Sequence, residues 1–430
     1  MNYDCLIIGG GISGLTCGIR CQSAGLSTAI LSAGMSALHF SSGSIDLIGY
    51  DRARRIVHSP FEYLKEFTGA MPDHPYAHCG VDTVREALVF LRDTLKAEEL
   101  EIYDNGERNH FHVTGMGTLK PTYFSQRSVF NDSIRQAFER RAKIAVLNFE
   151  GYRDFYPELA ISNLLKNELF KNVEIVTGRL VFPDYGDPEK NPFEYRSIDI
   201  ARIFDTIQYL DEIAEQIKRE AGDAEFVAMP AFIGINNYKK HHQILQMLTG
   251  KLIYEIPTLP PSILGMRLDD ALKSRFADLG GVLIAGDKVM GGDFLDGVLD
   301  HVHTQNYGTT RLRARAFVLS TGSFFSGGLV SDSGGMREPV LNLRMSATSP
   351  RNTWYSPQFL DRKGHPFFEF GVETTGKLNP FDAEGKVIEN MFCTGAILAH
   401  YNPIGEGSGG GVAVSTGYYA ANQIIKACGK

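Results

Sequence analysis

Apolar runs and glycines alternate along this chain. Continuous apolar runs of four to eight residues are typical of buried strands, whereas apolar residues spaced three and four apart indicate amphipathic helices. The pattern predicts helices at 84–99 and 207–221, another directly after the first strand, and a last one ending near 427. It predicts strands within the segments 4–8, 26–31, 143–149, 225–229, 281–286, 315–323 and 390–395. Because strands and helices alternate, we expect an α/β fold with parallel strands.

Strand segments that end at glycines lie far apart in the sequence, at 3–34, 281–323 and 390–411. Such a spread favours one domain assembled from the beginning, middle and end of the chain. We therefore predict a discontinuous Rossmann-like parallel sheet with helices on both faces, and an inserted α/β substrate or cap domain. Within the insertion, the proline-containing span 183–195 is a predicted loop. The predicted boundaries are 1–79 and 256–430 for the discontinuous domain, with cap elements around 330–385, and 80–255 for the insertion.

The composition is that of an ordinary globular protein. Apolar residues make up 43% and charged residues 22% of the chain, and the formal net charge is −7. Lysines and arginines form no block longer than a pair, which argues against nucleic acid as the main partner. Because no run of about 18 apolar residues occurs, we expect no membrane-spanning segment. The glycine-broken start without a basic leader argues against a signal peptide.

The cysteines show no C-x-x-C spacing, so we predict no metal site: neither an iron–sulfur cluster nor a zinc ion held by this chain alone. Cys17 and Cys21 stand one turn apart on the predicted first helix, where we interpret them as buried packing. Nothing suggests a disulfide framework, which fits a reducing cytoplasm.

The strongest chemical signal is the fingerprint G-x-G-x-x-G formed by Gly9, Gly11 and Gly14 directly after the first predicted strand. The three glycines allow a tight turn, close backbone approach to a pyrophosphate, and close packing of helix on strand. The next strand ends at Ser32, where a dinucleotide site usually carries a carboxylate for the adenosine ribose. The sequence therefore predicts a phosphate-binding turn and leaves open whether an adenosine group is bound.

Three further glycine-containing positions are candidates for cofactor binding. The buried run at 317–322 ends in Thr321 and Gly322, where a strand could pass close to a dinucleotide, although an ordinary strand–turn fits as well. Gly395 ends the last predicted strand. Gly409 and Gly410 open the last helix, whose positive end would stabilise a negatively charged reduced flavin. The alternative at this helix is a flexible loop.

The segment after the second strand carries small hydroxyl residues and one histidine. Ser41, Ser42 and Gly43 are candidates to donate to phosphate oxygens or to line a flavin ring. His39 is a candidate acid or base, a hydrogen-bond donor, or a covalent anchor for the flavin. A histidine buried for structural reasons is the alternative.

Two arginines next to proline or glycine turns are candidates for binding a phosphate or carboxylate substrate, because a guanidinium matches those oxyanions bidentately. They are Arg267, after a proline-rich stretch, and Arg337, after two glycines. A surface salt bridge is the alternative for each. His241 and His242 follow two lysines, and we interpret that segment as a solvated face.

Several strings in this chain resemble the B subunit of the anaerobic glycerol-3-phosphate dehydrogenase, and the resemblance is nearly full length. The fingerprint GGGISGL is shared with related flavoproteins, and the architecture is similar to that of fumarate reductase and succinate dehydrogenase flavoproteins. The more specific strings are SALHFSSGSIDL at 36–47, YRSIDIARIFD at 195–205, PTLPPSILGMRL at 257–268, VLSTGSFFSGGLV at 318–330 and GSGGGVAVS at 407–415.

The resemblance implies a complex in which the A and B subunits form the catalytic pair and the C subunit is a membrane-associated iron–sulfur protein. It implies oxidation of sn-glycerol 3-phosphate to dihydroxyacetone phosphate, with electrons sent through the quinone pool to fumarate or nitrate. It also implies FMN as the cofactor, whereas the glycine fingerprint as such favours FAD. We expect a cytoplasmic protein held at the inner face of the membrane by its partner.

Two other functions remain open from the sequence. One is a fumarate-reductase-like enzyme that acts alone on a carbon–carbon double bond. The other is a non-catalytic electron-relay or docking subunit, with the substrate oxidised entirely in the A subunit. No catalytic base stands out clearly enough to decide between these alternatives.

Overall fold

The computed structural model describes residues 2–182, 194–208, 210–346, 350–361 and 363–430; most of the predicted loop at 183–195 therefore lies outside the described residues. The strands are β1 (Asn2–Ile8), β2 (Thr28–Ser32), β3 (Ile102–Asp104), β4 (His110–Val113), β5 (Leu119–Thr122), β6 (Phe124–Gln126), β7 (Ile144–Phe149), β8 (Ile175–Leu180), β9 (Phe226–Pro230), β10 (Leu252–Ile256), β11 (Val282–Ala285), β12 (Val289–Leu295), β13 (Val298–Thr304), β14 (Arg313–Leu319), β15 (Val330–Asp332), β16 (Gly335–Arg337) and β17 (Met391–Cys393).

The α-helices are α1 (Ile12–Ser23), α2 (Pro60–Ala70), α3 (Pro75–Cys79), α4 (Val81–Ala97), α5 (Asp132–Glu139), α6 (Pro157–Leu164), α7 (Ser197–Thr206), α8 (Leu210–Ala221), α9 (Tyr238–Thr249), α10 (Ile263–Asp278), α11 (Pro403–Glu406) and α12 (Gly409–Ala427). Short 3-10 turns occur at Ala37–Phe40, Phe324–Ser326, Arg351–Thr353, Pro366–Glu369 and Gly395–Ile397. Among the described residues, no helix combines the length and the apolar character that crossing a bilayer requires.

The first sheet has the strand order β11-β2-β1-β14-β17, and every neighbouring pair is parallel. Its strands come from the beginning, middle and end of the chain, at the segments where the apolar pattern predicts them. The predicted α/β class with parallel strands is confirmed. The central strand β1 is buried on both faces and pairs with β14 from Asn2 opposite Arg313 to Ile8 opposite Leu319.

Close packing against this sheet depends on glycines in α1. A Cβ on Gly14 would lie 2.1 Å from the carbonyl oxygen of Gly9, and one on Gly18 would lie 2.9 Å from Ile30. Helix α1 also packs on α12, where a Cβ on Gly417 would lie 2.4 Å from the carbonyl oxygen of Ser13. The small residues therefore hold the start of α1 close to the ends of β1 and β14.

The second sheet has the order β10-β9-β7-β8, is parallel throughout and has its own hydrophobic core. The sequence predicts two of its strands, β7 and β9. The helix predicted at 207–221 starts later, at Leu210, because Ile207 has an extended backbone with ψ of 137°. Helix α4 packs into the core of the first sheet although it follows the predicted boundary at residue 80. The domain boundaries stay a prediction.

Candidate functional site

A cleft of about 290 Å³ lies at the carboxyl ends of β1, β2 and β14. In an open parallel sheet, this edge is where ligands bind. The cleft brings together five residues that the sequence predicts as cofactor-binding: Gly9, Gly11, Ser32, Thr321 and Gly322. Residues 9 and 322 are more than 300 positions apart, so the parallel pairing of β1 with β14 is what makes them neighbours.

Glycine stands at each of the three fingerprint positions for a different structural reason. Gly9 has φ of +119°, and a Cβ there would lie 2.2 Å from the carbonyl oxygen of Ser320. Gly14 allows α1 to pack on the turn after β1. Gly11 begins α1, and a Cβ there would have no atom within 4 Å. Gly9 and Gly14 are thus required by packing, whereas Gly11 keeps space in the cleft for a ligand.

Two residues that line the cleft carry a buried hydroxyl group without a hydrogen-bond partner among the described residues. The buried Oγ of Ser13 and Oγ1 of Thr321 both lack one among the described residues, although both side chains line the cleft. Burying a polar group without a partner costs free energy, so such groups indicate a missing ligand or water. The N-terminus of α1 adds backbone N–H groups and has no acidic residue in its first turn. An anionic group such as a phosphate suits this place.

The other end of the cleft differs from a common adenosine site. The Oγ of Ser32 donates to the carbonyl oxygen of Gly34 at 3.1 Å. Asp287 is the one carboxylate among the described lining residues, and it already accepts from the Oγ1 of Thr304 at 2.6 Å and the backbone N–H of Asn306 at 2.9 Å. The described residues therefore place no free carboxylate here to hold a ribose.

The remaining glycine candidates lie near the cleft but not in its described lining. Gly395 has φ of +75° and stands between Thr394 and Ala396, which do line it. Gly409 and Gly410 open α12, where a Cβ on Gly410 would lie 3.2 Å from the backbone nitrogen of Asp46. The segment that carries the predicted serines thus packs against the start of α12.

That segment holds an ion pair that the sequence pattern did not single out. The ammonium group of Lys120, on β5, lies 2.6 Å from Oδ2 of Asp46 and donates to the hydroxyls of Ser42 at 2.9 Å and Ser44 at 3.1 Å. Ser41 caps the preceding turn by donating to the carbonyl oxygen of Leu38 at 2.8 Å. Gly43 has φ of +69° and packs closely against Leu264. Lys120 lies more than 70 residues from its partners, so no local motif could reveal this pair.

His39 lies outside the described lining of the cleft, on the short turn before these serines. Its Nε2 is 2.9 Å from Oδ2 of Asp269 on α10, and the same oxygen is 2.6 Å from Nζ of Lys273. A carboxylate on one ring nitrogen fixes the tautomer and the orientation of the ring. The arrangement suits a positioned base.

Arg267 does not face the cleft. Its guanidinium pairs with both carboxylate oxygens of Glu255, at 2.6 and 2.9 Å, and also donates to the carbonyl oxygen of Gly234 at 2.6 Å. It stacks over the ring of Tyr238 at 4.0 Å and is 3% exposed. Burial alone would raise the pKa of Glu255, but the facing guanidinium more than offsets this and holds that pKa below its usual value. The geometry gives Arg267 a structural role between α10 and the second sheet and does not support the prediction that it binds the substrate.

Arg337 is exposed on the β15–β16 hairpin, 3.6 Å from Asp332. This is the surface salt bridge that the sequence left as an alternative. The interpretation of His241 and His242 as a solvated face is wrong. His241 is buried, and Nε2 of the partly buried His242 donates to the carbonyl oxygen of Ile253 at 2.9 Å, because α9 packs that face on β10.

Cys17 and Cys21, which the sequence predicts as buried packing residues, lie next to a third cysteine, Cys5. The sulfur atoms of Cys5, Cys17 and Cys21 are all buried and lie within 4.8 Å of one another between β1 and α1. Burial fits the interpretation of Cys17 and Cys21 as core residues. The expectation that the chain holds no metal stays a prediction.

Residues 4–412 match the family described as FAD binding domain. The B subunit of the anaerobic glycerol-3-phosphate dehydrogenase of Aliivibrio fischeri is 38% identical over 437 residues, covering 99% of this chain and 96% of that protein. The protein of the same name from Vibrio vulnificus is 39% identical over 427 residues, covering 99% of this chain and 97% of that protein.

A solved structure, the 3-ketosteroid delta1-dehydrogenase of Sterolibacterium denitrificans, is similar with a TM-score of 0.47 at 10% identity, covering 99% of this chain and 100% of that one. A likeness at this level adds nothing to the family assignment. The two B-subunit matches and the domain match each extend over nearly the whole chain. This chain therefore belongs to the family of the anaerobic glycerol-3-phosphate dehydrogenase B subunits, a group of flavin oxidoreductases with an FAD binding domain.

Proposed function

We propose that this chain is the flavin subunit of an anaerobic glycerol-3-phosphate dehydrogenase, which oxidises sn-glycerol 3-phosphate to dihydroxyacetone phosphate. The observation that carries the proposal is the cleft between β1, β2 and β14, which combines an open glycine turn with two partnerless hydroxyls. The names of the relatives supply the substrate.

The residues present fit a flavin nucleotide. The N-terminus of α1 at Gly11 would hold a phosphate group, and the hydroxyls of Ser13 and Thr321 would donate to its oxygens. When bound, the flavin supplies the acceptor for the hydride from C2 of the substrate. The family match favours FAD, whereas Ser32 in place of a ribose-binding carboxylate favours FMN. Release of the flavin by acid, followed by chromatography, distinguishes FMN, FAD and a covalent link.

We assign the removal of the C2 hydroxyl proton to His39. Asp269 orients its ring from the side of α10, and the segment 36–47 connects the cleft to the start of α12. His39 and the two arginines predicted to bind the substrate do not come together, since Arg267 is tied to Glu255 and Arg337 lies on a surface hairpin. His39 is the one that keeps a chemical role in this proposal.

In the proposed complex, the catalytic partner is the A subunit, and a membrane-associated iron–sulfur protein is the C subunit. The relatives' designation as B subunits implies further subunits. Electrons would leave through the iron–sulfur partner to the quinone pool and then to fumarate or nitrate. The partner would also hold this chain at the inner face of the membrane.

Substrate reduction of the bound flavin tests the proposal. The chain is produced alone and together with the A subunit, and the flavin absorbance is followed after addition of glycerol 3-phosphate without oxygen. We expect a flavin spectrum that bleaches. A preparation without flavin, even when the A subunit is present, contradicts the proposal. A flavin that glycerol 3-phosphate does not bleach, but that fumarate reoxidises after chemical reduction, favours the fumarate-reductase-like alternative.

Bleaching that occurs only when the A subunit is present favours the relay alternative, in which the substrate is oxidised in that partner. The variant His39→Gln distinguishes substrate oxidation in this chain from substrate oxidation in the A subunit. If His39 is the base, this variant lowers the rate of flavin reduction, while flavin content is retained. An unchanged rate of flavin reduction contradicts the assignment of His39.

A further inference from the structure

A second cleft, of about 1190 Å³, opens between the described residues of 355–368, which are 355–361 and 363–368, and the loop that leads into α12. We call it the 355–368 cleft. Pockets for small ligands usually have volumes of roughly 300–1,000 Å³ and enclose their ligand. This cleft is lined by large apolar side chains that remain exposed to solvent: Tyr355 (56%), Phe359 (87%), Leu360 (88%) and Ile404 (69%). Exposed apolar groups gathered around one concave surface mark a place for a macromolecule rather than for glycerol phosphate.

The loop that presents Phe359 and Leu360 is fixed by hydrogen bonds. Nδ1 of His365 accepts from the backbone N–H of Ser356 at 3.0 Å, and its Nε2 donates to the carbonyl oxygen of Phe359 at 3.0 Å. The Oγ of Ser356 donates to Asp361 at 2.5 Å. The two apolar side chains are therefore exposed on a preorganised loop, which lowers the entropy cost of binding a partner.

The rim of the 355–368 cleft is cationic. Arg52, Arg54 and Lys363 line it and are exposed, and Asp361 is the one carboxylate among its described lining residues. This rim stands on a protein whose formal net charge is −7. Such a local reversal of charge steers an acidic surface toward the cleft.

The cleft adjoins the loop before α12, the helix whose start is a candidate for binding the flavin. Gly405 lines it, and the carbonyl oxygen of the next residue, Glu406, accepts from the backbone N–H groups of Gly49 at 2.8 Å and Tyr50 at 2.9 Å. Helix α12 begins three residues later. A protein seated in the cleft would therefore lie beside the segment that contacts the start of α12.

We propose that the 355–368 cleft is the docking site for the A subunit, which would bind through an acidic segment carrying an apolar side chain that packs on Phe359 and Leu360. This inference rests on the proposed function, which supplies the partner. It adds the surface, its anchor residues and the charge that the partner must carry.

The test compares two pairs of residues with the same chemistry. Phe359→Ser with Leu360→Ser removes the proposed anchors. Phe294→Ser with Leu295→Ser is the matched control, since these side chains are also exposed, at the turn of the β12–β13 hairpin. Each chain is produced with its flavin, its melting temperature is checked, and its affinity for the purified A subunit is measured by titration.

We expect the change at residues 359 and 360 to weaken binding of the A subunit by about 30-fold or more, as for a central hot spot. The control pair should bind as the unaltered chain does. The charge variant Arg52→Glu with Lys363→Glu should weaken binding several-fold, mainly through slower association, and added salt should weaken the unaltered complex. Because this second variant leaves the apolar anchors intact, it tests the site independently of the first.

Equal binding by all variants, or equal weakening by the control pair, overturns the docking proposal while leaving the proposed function intact. Binding of this chain alone to vesicles of phosphatidylglycerol, lost on changing residues 359 and 360 while binding to the A subunit persists, would instead assign the surface to the membrane and overturn it as well. If the unaltered chain neither binds the A subunit nor oxidises glycerol 3-phosphate, the proposed function itself is contradicted.

Discussion

The cofactor cleft and the Arg267–Glu255 pair lie at equivalent places, since both stand at the carboxyl ends of parallel strands. On residues that line the cleft, two buried hydroxyls lack partners among the described part of the chain, and a glycine leaves open space. At the pair, by contrast, both carboxylate oxygens and the guanidinium are hydrogen-bonded, and an aromatic ring covers the arginine. Its residue type suggests that Arg267 binds a ligand, but its hydrogen-bond donors are already occupied by neighbouring groups of the protein. Unsatisfied polar groups next to a gap indicate a ligand site better than the residue type does.

The largest effect should come from breaking the ion pair. Arg267→Met leaves the carboxylate of Glu255 buried without a counter-charge, and we expect a loss of about 3–5 kcal/mol in the free energy of unfolding. The double variant with Glu255→Met should recover much of it. Denaturant titration measures both. Flavin affinity of the folded variant should not change; a change would mean that the two regions are coupled.

Substitutions at two fingerprint glycines should distinguish an effect on the free energy of unfolding from an effect on flavin affinity. Gly14→Ala forces a Cβ onto the carbonyl oxygen of Gly9, so we expect a loss of about 1–3 kcal/mol in the free energy of unfolding. Gly11→Ala should leave the flavin-free protein as stable as before and weaken flavin binding by about 5- to 150-fold, the same free energy applied to the ligand. Unfolding and flavin titration are measured on both. Loss of stability in the Gly11 variant would contradict the assignment of its open space to a ligand.

The partnerless hydroxyls offer a finer comparison. Ser13→Ala and Thr321→Val should each weaken flavin binding by about tenfold or more, because a hydrogen bond to a charged group is lost. The flavin-free protein should not lose stability, since no protein–protein hydrogen bond is removed. Ser415→Ala is the control, because the Oγ of Ser415 is also buried without a partner but lies outside the described lining of the cleft. Equal effects of all three on flavin affinity would show that the partnerless hydroxyls do not mark the site.

The smallest effect should be the contribution of one histidine next to the ion pair to the pH dependence of stability. Burial lowers the pKa of His242, whose neighbours include Glu255 and Arg267. The unfolded chain takes up this proton near pH 6.5, at about the ordinary pKa, while the folded protein resists it. The stability that the neutral ring contributes is therefore complete above about pH 6.5 and is lost as the pH falls below it. Melting temperatures of the unaltered chain should fall more steeply between about pH 7.5 and 5.5 than those of His242→Gln; parallel curves would contradict this.

The fold could be predicted largely because its signals are local. Each strand of the first sheet is an apolar run that ends at or near a turn. The fingerprint at Gly9, Gly11 and Gly14 predicts the geometry of the turn that these glycines form. The apolar pattern does not predict strands β8 and β10. The run at β8 contains a glycine and an arginine, and the run at β10 contains Glu255, which breaks the apolar pattern that predicts a buried strand.

The site could be predicted only in part because partners are set by tertiary structure. Arg267 resembles a substrate-binding residue until Glu255 and the carbonyl of Gly234 are placed beside it. Conversely, nothing local shows that the hydroxyls of Ser13 and Thr321 would be left without partners. The ion pair of Lys120 with Asp46 joins two segments that the sequence pattern treats separately.

The pairing of β1 with β14 has a consequence for synthesis on the ribosome. The central strand β1 has both of its neighbours only after Arg313, which pairs with Asn2, has left the ribosome. At about 5–20 residues per second, that delay is roughly 15–60 s. During this interval the four strands β7 to β10 emerge complete and are free to fold first, while β1 has only β2 beside it and its apolar side chains are open to aggregation.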